Sequence, residues 1–264
     1  MSAGLDFETK IVIKDKAVDL LRGVLAKPNW QPASMMLSGV TDPYQPVERE
    51  KEITRGILSL LSDCKHPVSI ITKNALIERD VDILTAMAKN NLVQAAISIT
   101  TQDAELARFL EPRTSSPEAR FRAIRTLANA GVPVRIMTAP VIPGLNDHEI
   151  PQLLARAADM GATSAGYVML RLPGAVERVF TDWLSRVKPD AEEKVLAKIR
   201  EVRDGAMSDS TFRRRMCGTG TRADNISGMF KLFSKKNGLQ LDPKKLRCDL
   251  FFPPSDPTGQ MSLF

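Results

Sequence analysis

Cysteine is scarce in this chain: its 264 residues carry three, Cys64, Cys217 and Cys248. No two of them share a C-x-x-C spacing, which excludes a disulfide framework and a local metal knot built from neighbouring thiols. They are expected to be reduced packing residues. No apolar run approaches the length needed to span a bilayer, and the opening MSAGLDFETK lacks the basic and apolar regions of a signal peptide. No membrane partner and a cytoplasmic location are therefore expected. Aromatic residues make up only 5% of the chain, which gives little sign of base-stacking platforms. No linker rich in proline, glycine or serine divides the sequence.

What is present is an ordinary globular composition, 43% hydrophobic and 26% charged, enough for one large α/β domain or two small ones. The formal charge of +6 is unevenly placed. Residues 211–264 hold ten Lys or Arg against four Asp or Glu, so the rest of the chain balances at 27 of each sign. Phe212-Arg213-Arg214-Arg215 and Lys235-Lys236 are the local clusters of this basic C-terminal segment. It suits either a solvated tail or an acidic partner, nucleic acid included.

From residue 34 onward, short apolar runs alternate with segments that are apolar every three or four residues, the rhythm of βαβ units. Strands are expected over 34–40, 68–73, 93–100, 134–140 and 164–170. Each is nearly continuously apolar, as strands covered on both faces are. Ser116-Pro117-Glu118 reads as N-cap, first-turn proline and helix-start acid, with Gly131 ending that helix. Asn146 and Glu149 read as a capping pair for the next. Such units in series curl into a partial β/α barrel, here over residues 1–172. A helical extension over 173–264 follows, with helices at 176–187, 191–202 and 223–236. A further strand at 10–14 and a helix reaching Leu25 precede the barrel units.

Ligands of such folds bind at the carboxyl ends of the strands. Those ends carry Ser38, Thr41 and Asp42, then Lys73, then Ser98 and Thr100, then Ala139 and Pro140, and lastly Arg171. Together they suit a zwitterionic small molecule: Lys73 for a carboxylate, Asp42 for an ammonium, Ser98 and Thr100 for hydroxyls, and the backbone from Ala139 for a flat ring. The plainer readings are a turn and helix start at Asp42-Pro43, a surface lysine, and ordinary strand residues. A lysine at a barrel strand end also suits a Schiff-base nucleophile.

In chain order, LSGVTDPYQPVERE, VSIITKN, AAISITT, LEPRTSSPEARFRAIRTLANAG and APVIPGLNDHE resemble the spore-photoproduct-lyase-like branch of the radical S-adenosylmethionine (SAM) enzymes. The resemblance implies a partial barrel that cleaves S-adenosylmethionine reductively at a 4Fe-4S cluster, giving a 5′-deoxyadenosyl radical that abstracts hydrogen from substrate. It implies Ser38 and Asp42 at the methionyl amine, Lys73 at the carboxylate, Ser98 at the ribose or methionyl end, and Ala139-Pro140 beside the adenine. Glu111, Pro112 and Ser115 match a phrase of structural role. The family's C-x-x-x-C-x-x-C is absent, so no metal ligands are expected here. The resemblance thus implies a chain that starts after the first strand and its cluster loop and is inactive by itself. The other reading is a non-catalytic module that binds S-adenosylmethionine or nucleic acid.

Overall fold

The computed structural model describes residues 10–39, 41–212 and 214–254. Five strands form one parallel sheet in chain order: β1 (Met35–Leu37), β2 (Val68–Thr72), β3 (Val93–Ser98), β4 (Val134–Val141) and β5 (Ser164–Met169). Met35 lies opposite Val68, Val68 opposite Val93, Ala95 opposite Val134 and Arg135 opposite Ser164, so the strands end along one edge. This is the expected α/β partial barrel, left open between β1 and β5.

The connecting helices are α1 (Ala17–Leu25), α2 (Glu48–Lys51), α3 (Ile53–Asp63), α4 (Val81–Ala88), α5 (Ala104–Leu110), α6 (Pro117–Asn129) and α7 (Ile150–Asp159). Leu58 and Leu61 of α3, Leu84 of α4 and Ile124 of α6 share one buried cluster with Val68, Ile70, Val134 and Ile136 of the sheet. The alternate residues Ile71, Arg135 and Met137 are only half-buried. Full cover on both faces therefore fails for β2 and β4, because an open half-barrel leaves its concave face partly bare.

Helix α6 starts as its sequence indicates: Ala119 N donates to the Ser116 hydroxyl at 3.3 Å and Pro117 occupies the first turn. Asn146 and Glu149, by contrast, occupy the N-cap positions of a short 3-10 turn and of α7, but neither side chain caps its helix. The Asn146 amide donates to the carbonyls of Thr100 (2.8 Å) and Pro140 (3.0 Å), while Glu149 accepts from Thr101 Oγ1 (2.6 Å) and Gln102 N (2.7 Å). Both are buried, and the loop leaving β3 has backbone groups that need these partners more than a helix end open to water does. Nor do residues 10–14 form a strand. Ile11, Val12 and Ile13 are 46%, 65% and 38% exposed, and an apolar run without a neighbouring strand has nothing to pair with.

Beyond β5 lie α8 (Ala175–Val187), α9 (Glu192–Glu201), α10 (Arg214–Cys217) and α11 (Gly220–Lys236). Phe180 and Leu184 of α8 and Val195 and Ile199 of α9 form a second cluster with Ile142, Leu170 and Leu172. Ala223, Ile226 and Phe230 of α11 join the main core instead. The chain then bridges Gln240 to Ser164 at the start of β5, and Arg247 and Phe252 donate to the carbonyls of Asn91 and Cys64, just ahead of β3 and β2. The C-terminal segment thus straps the end of the sheet opposite the strand exits. Among the described residues no helix is long and apolar enough to cross a membrane.

Candidate functional site

A cleft of about 450 Å³ opens at the carboxyl edge of the sheet. Ser38, Thr41, Asp42, Lys73, Ser98, Ala139, Pro140 and Arg171 all line it, and Met36, Ile71, Met137 and Val168 supply apolar wall. Thr100 stands behind the wall, 2% exposed, and reaches the cleft through its bonds. The volume falls in the range of small-molecule sites.

The loop after β1 is held by its own acids. Asp42 accepts from Tyr44 N at 2.8 Å, Thr72 Oγ1 at 2.6 Å and Lys73 N at 2.7 Å. The Asp42-Pro43 turn and the end of β2 are therefore one unit. Tyr44, fully buried, donates to Asp80 at 3.1 Å, and Asp80 is held in turn by Arg55 (3.0 Å) and Arg79 (2.8 Å). Burial, followed by the Asp80 carboxylate, pushes the Tyr44 phenol far above its usual range. Ser38 and Thr41 differ, since no side-chain hydrogen bond of theirs is recorded among the described residues.

Lys73 does not stand free at the rim. Its ammonium pairs with Glu111 and lies 3.4 Å from Thr100 Oγ1. Glu111 also accepts from Thr100 (2.7 Å) and from Arg120 (2.8 Å), whose side chain is 1% exposed. Arg120 further donates to the carbonyls of Ser115 (2.7 Å) and Ser98 (2.9 Å). Burial pushes the Glu111 carboxyl up, but Lys73 and Arg120 outweigh it and hold the group below its usual value. The phrase LEPRTSS is thus a bracket for Lys73. Its Ser115 hydroxyl ties in Ala75 N at 2.9 Å and Asn74 Oδ1 at 3.1 Å.

Pro140 interrupts β4, an interior strand. Lacking an N–H, it sits at a register shift between Thr138 and Val141, where the ladder tolerates it. There the Ala139 carbonyl accepts from Ser98 Oγ (3.1 Å) and Thr100 Oγ1 (2.9 Å). The Ser98 hydroxyl so spends its proton on the strand next door and faces a ligand as an acceptor, while the single proton of Thr100 is shared between the Ala139 carbonyl and Glu111.

Sequence reasoning missed Arg120, Arg55, Arg79 and Asp80. Arg120 had a signal: it falls in phase with Ile124 and Leu127 on the apolar stripe of α6, where an arginine needs a buried anion.

The thiols do not fit a cluster. Cys64 is buried beside β2, Cys217 is exposed on α10, and Cys248 lies in the C-terminal strap. Among the described residues no group of three or more His, Cys, Asp or Glu is placed to hold a metal ion.

The family model described as the radical SAM superfamily matches residues 11–157, more than half of the chain. An uncharacterized protein of Mycobacterium tuberculosis is 33% identical over 216 residues, 81% of this chain and 62% of its own length. One from Methanocaldococcus jannaschii is 30% identical over 139 residues, 53% of this chain and 50% of its own. The chain thus spans 62% or less of these curated relatives. Among solved structures, a spore photoproduct lyase mutant aligns with a TM-score of 0.58 at 15% identity, covering 86% of this chain and 65% of that one. Another, with bound AdoMet and dinucleoside spore photoproduct, aligns at 0.58 and 14%, over 85% and 66%. These structural matches establish a shared fold, and the match to the family model makes this chain a member of the radical SAM superfamily.

Proposed function

We propose that the cleft binds S-adenosylmethionine and that this sequence does not supply the 4Fe-4S cluster. The observation that carries the reading is convergence: residues from all five strand ends, distant in sequence, line one cleft of about 450 Å³ in a chain of this superfamily. Lys73 takes the methionyl carboxylate with the N–H left over from Glu111 and Thr100. Ser38, Thr41 and the remaining lone pair of Asp42 take the amine. Ser98 and Thr100 accept from the ribose, the Ala139-Pro140 backbone lies against the adenine, and Arg171 closes the far side. Given an electron from a reduced 4Fe-4S cluster held outside this sequence, such a cofactor would release methionine and supply hydrogen abstraction by its 5′-deoxyadenosyl group. The residues of this chain bind it, orient it and exclude water with Met36, Ile71 and Met137. Lys73 as a Schiff-base nucleophile has less support, because its nitrogen is engaged in an ion pair.

Titration calorimetry of the chain with S-adenosylmethionine is expected to give one weak site. Lys73→Ala is expected to lower the affinity by about 1–3 kcal/mol, the worth of a charged hydrogen bond; an unchanged affinity removes Lys73 from the site. In parallel, anaerobic iron–sulfide reconstitution is expected to leave the chain without a reducible cluster. About four irons and four sulfides per chain would overturn that half of the proposal.

A further inference from the structure

The guanidiniums drawn into the interior of this fold are satisfied unequally. Arg120 faces the Glu111 carboxylate. Arg203, 3% exposed, donates to the carbonyls of Leu170 (2.6 Å), Arg214 (3.0 Å) and Arg215 (3.0 Å). Arg135, half-buried on β4, has one recorded bond, from Nη2 to the Leu241 carbonyl at 3.1 Å, and its Nε is buried without a partner. No ion pair is recorded for it among the described residues. Burial pushes its pKa down, and only the charge of Asp242 acts against that. A cation taken out of water without an anion beside it is costly to keep.

Its place in the fold matters as much as the missing partner. Arg135 and Met137 are two residues apart on β4 and so share a face of the sheet, and the register sets Ser164 and Gly166 of β5 beside them. A methyl group on Gly166 would come to 2.7 Å from both Arg135 Nη2 and Met137 Sδ. The guanidinium and the sulfur therefore lie no more than twice that distance apart, over a glycine that leaves room for both. Met137 lines the cleft, so Arg135 is set at the floor of the same cleft, below an apolar band that Met137 forms with Met36, Ile71 and Val168. Ser164, opposite Arg135, adds a hydroxyl that is also buried and unpartnered.

What this floor lacks is an anion. One guanidinium neutralises one charge, and its planar N–H groups match a planar carboxylate. A phosphate dianion would find a single cation there. The band above suits an apolar body. We propose that Arg135 is a specificity-determining residue, which holds the carboxylate of an apolar-bodied substrate at the floor of the cleft. The inference rests on the cofactor reading, because that reading makes a molecule lodged below the strand-end rim a substrate.

The test is titration calorimetry with hexanoate and with hexanamide, which has the same chain and nearly the same shape but no charge. The native chain is expected to bind hexanoate at least roughly tenfold more tightly, as a charged hydrogen bond in a half-buried site provides. Arg135→Gln is expected to remove that preference. Arg135 also holds the Leu241 carbonyl of the strap, so this variant can lose stability. Gly166→Ala keeps the cation but drives the guanidinium off the glycine, and it is expected to remove the preference as well.

Equal affinity for acid and amide in the native chain would overturn the proposal and leave Arg135 as a clasp for the strap. So would no heat with either probe, or displacement of hexanoate by inorganic phosphate at equal concentration. A preference kept by folded Arg135→Gln, or by Gly166→Ala where Arg135→Gln does not fold, would overturn it too. S-adenosylmethionine titrated into the same native preparation separates the two readings. Cofactor heat without a hexanoate preference sinks this inference alone, and a preference without cofactor heat sinks the cofactor reading while the carboxylate site stands.

Discussion

Glu111 stands between two cations, Lys73 at the cleft and the fully buried Arg120. Removing its carboxylate leaves Arg120 charged with no anion beside it, so Glu111→Ala is expected to destabilise the fold by about 3–5 kcal/mol in urea titrations. The pH dependence follows from the lowered carboxyl. The folded chain holds the proton off at values where an unfolded glutamate, at 4.5, already binds it. Its stabilisation is therefore complete above 4.5 and lost as pH falls through the lower folded value. Glu111→Gln is expected to be less stable at neutral pH and to show a shallower acid limb. An acid limb of the same steepness would mean that other carboxylates dominate it.

At the scale of elements, two glycines end successive helices in the same way. Gly131 follows α6 with φ 79° and Gly161 follows α7 with φ 92°. The chain closes each turn alike, with Val132 N donating to Leu127 and Ala162 N to Ala157. Their surroundings differ. A methyl group on Gly131 would meet nothing within 4 Å, whereas on Gly161 it would come within 2.7 Å of the Ala128 methyl of α6. Gly131→Ala is expected to cost about 1 kcal/mol for the left-handed backbone. Gly161→Ala should cost at least ~1 kcal/mol more, because two helices must also part. Equal losses would show that α6 and α7 yield freely at this contact.

Across the whole molecule, the C-terminal strap is fastened at His66. The imidazole is fully buried between Trp30 (5.9 Å between centroids) and Phe251 (5.4 Å), with Nδ1 donating to the Pro67 carbonyl and Nε2 unpartnered. Burial lowers its pKa from 6.5 despite that carbonyl. Between the two values the unfolded chain is protonated and the folded chain is not, so stability falls as pH drops below 6.5. Thermal melts are expected to show this loss well above the Glu111 window, and His66→Phe is expected to remove it. A loss that persists in the variant would locate the titration elsewhere.

The sequence by itself determined the strand–helix alternation, the edge on which the polar residues gather, and the absence of clustered thiols. These are local properties: apolar period, turn chemistry and spacing. It also indicated where α6 begins, because Ser116 and Pro117 act on the next few residues only. Only the tertiary structure decided that 10–14 is no strand, since a strand needs a neighbour. It alone turned the side chains of Asn146 and Glu149 from helix caps into braces for the loop leaving β3. Lys73 reads from sequence as a free cation; packing gives it Glu111, and Arg120 behind that. The +6 of net charge read as one basic tail. Folding neutralises Arg214 with Asp204 and Asp209, sends Lys235 and Lys236 to the far end, and leaves Arg171 lining the cleft. Charge counts are additive along a chain, whereas the partners that cancel a charge are chosen by proximity in space.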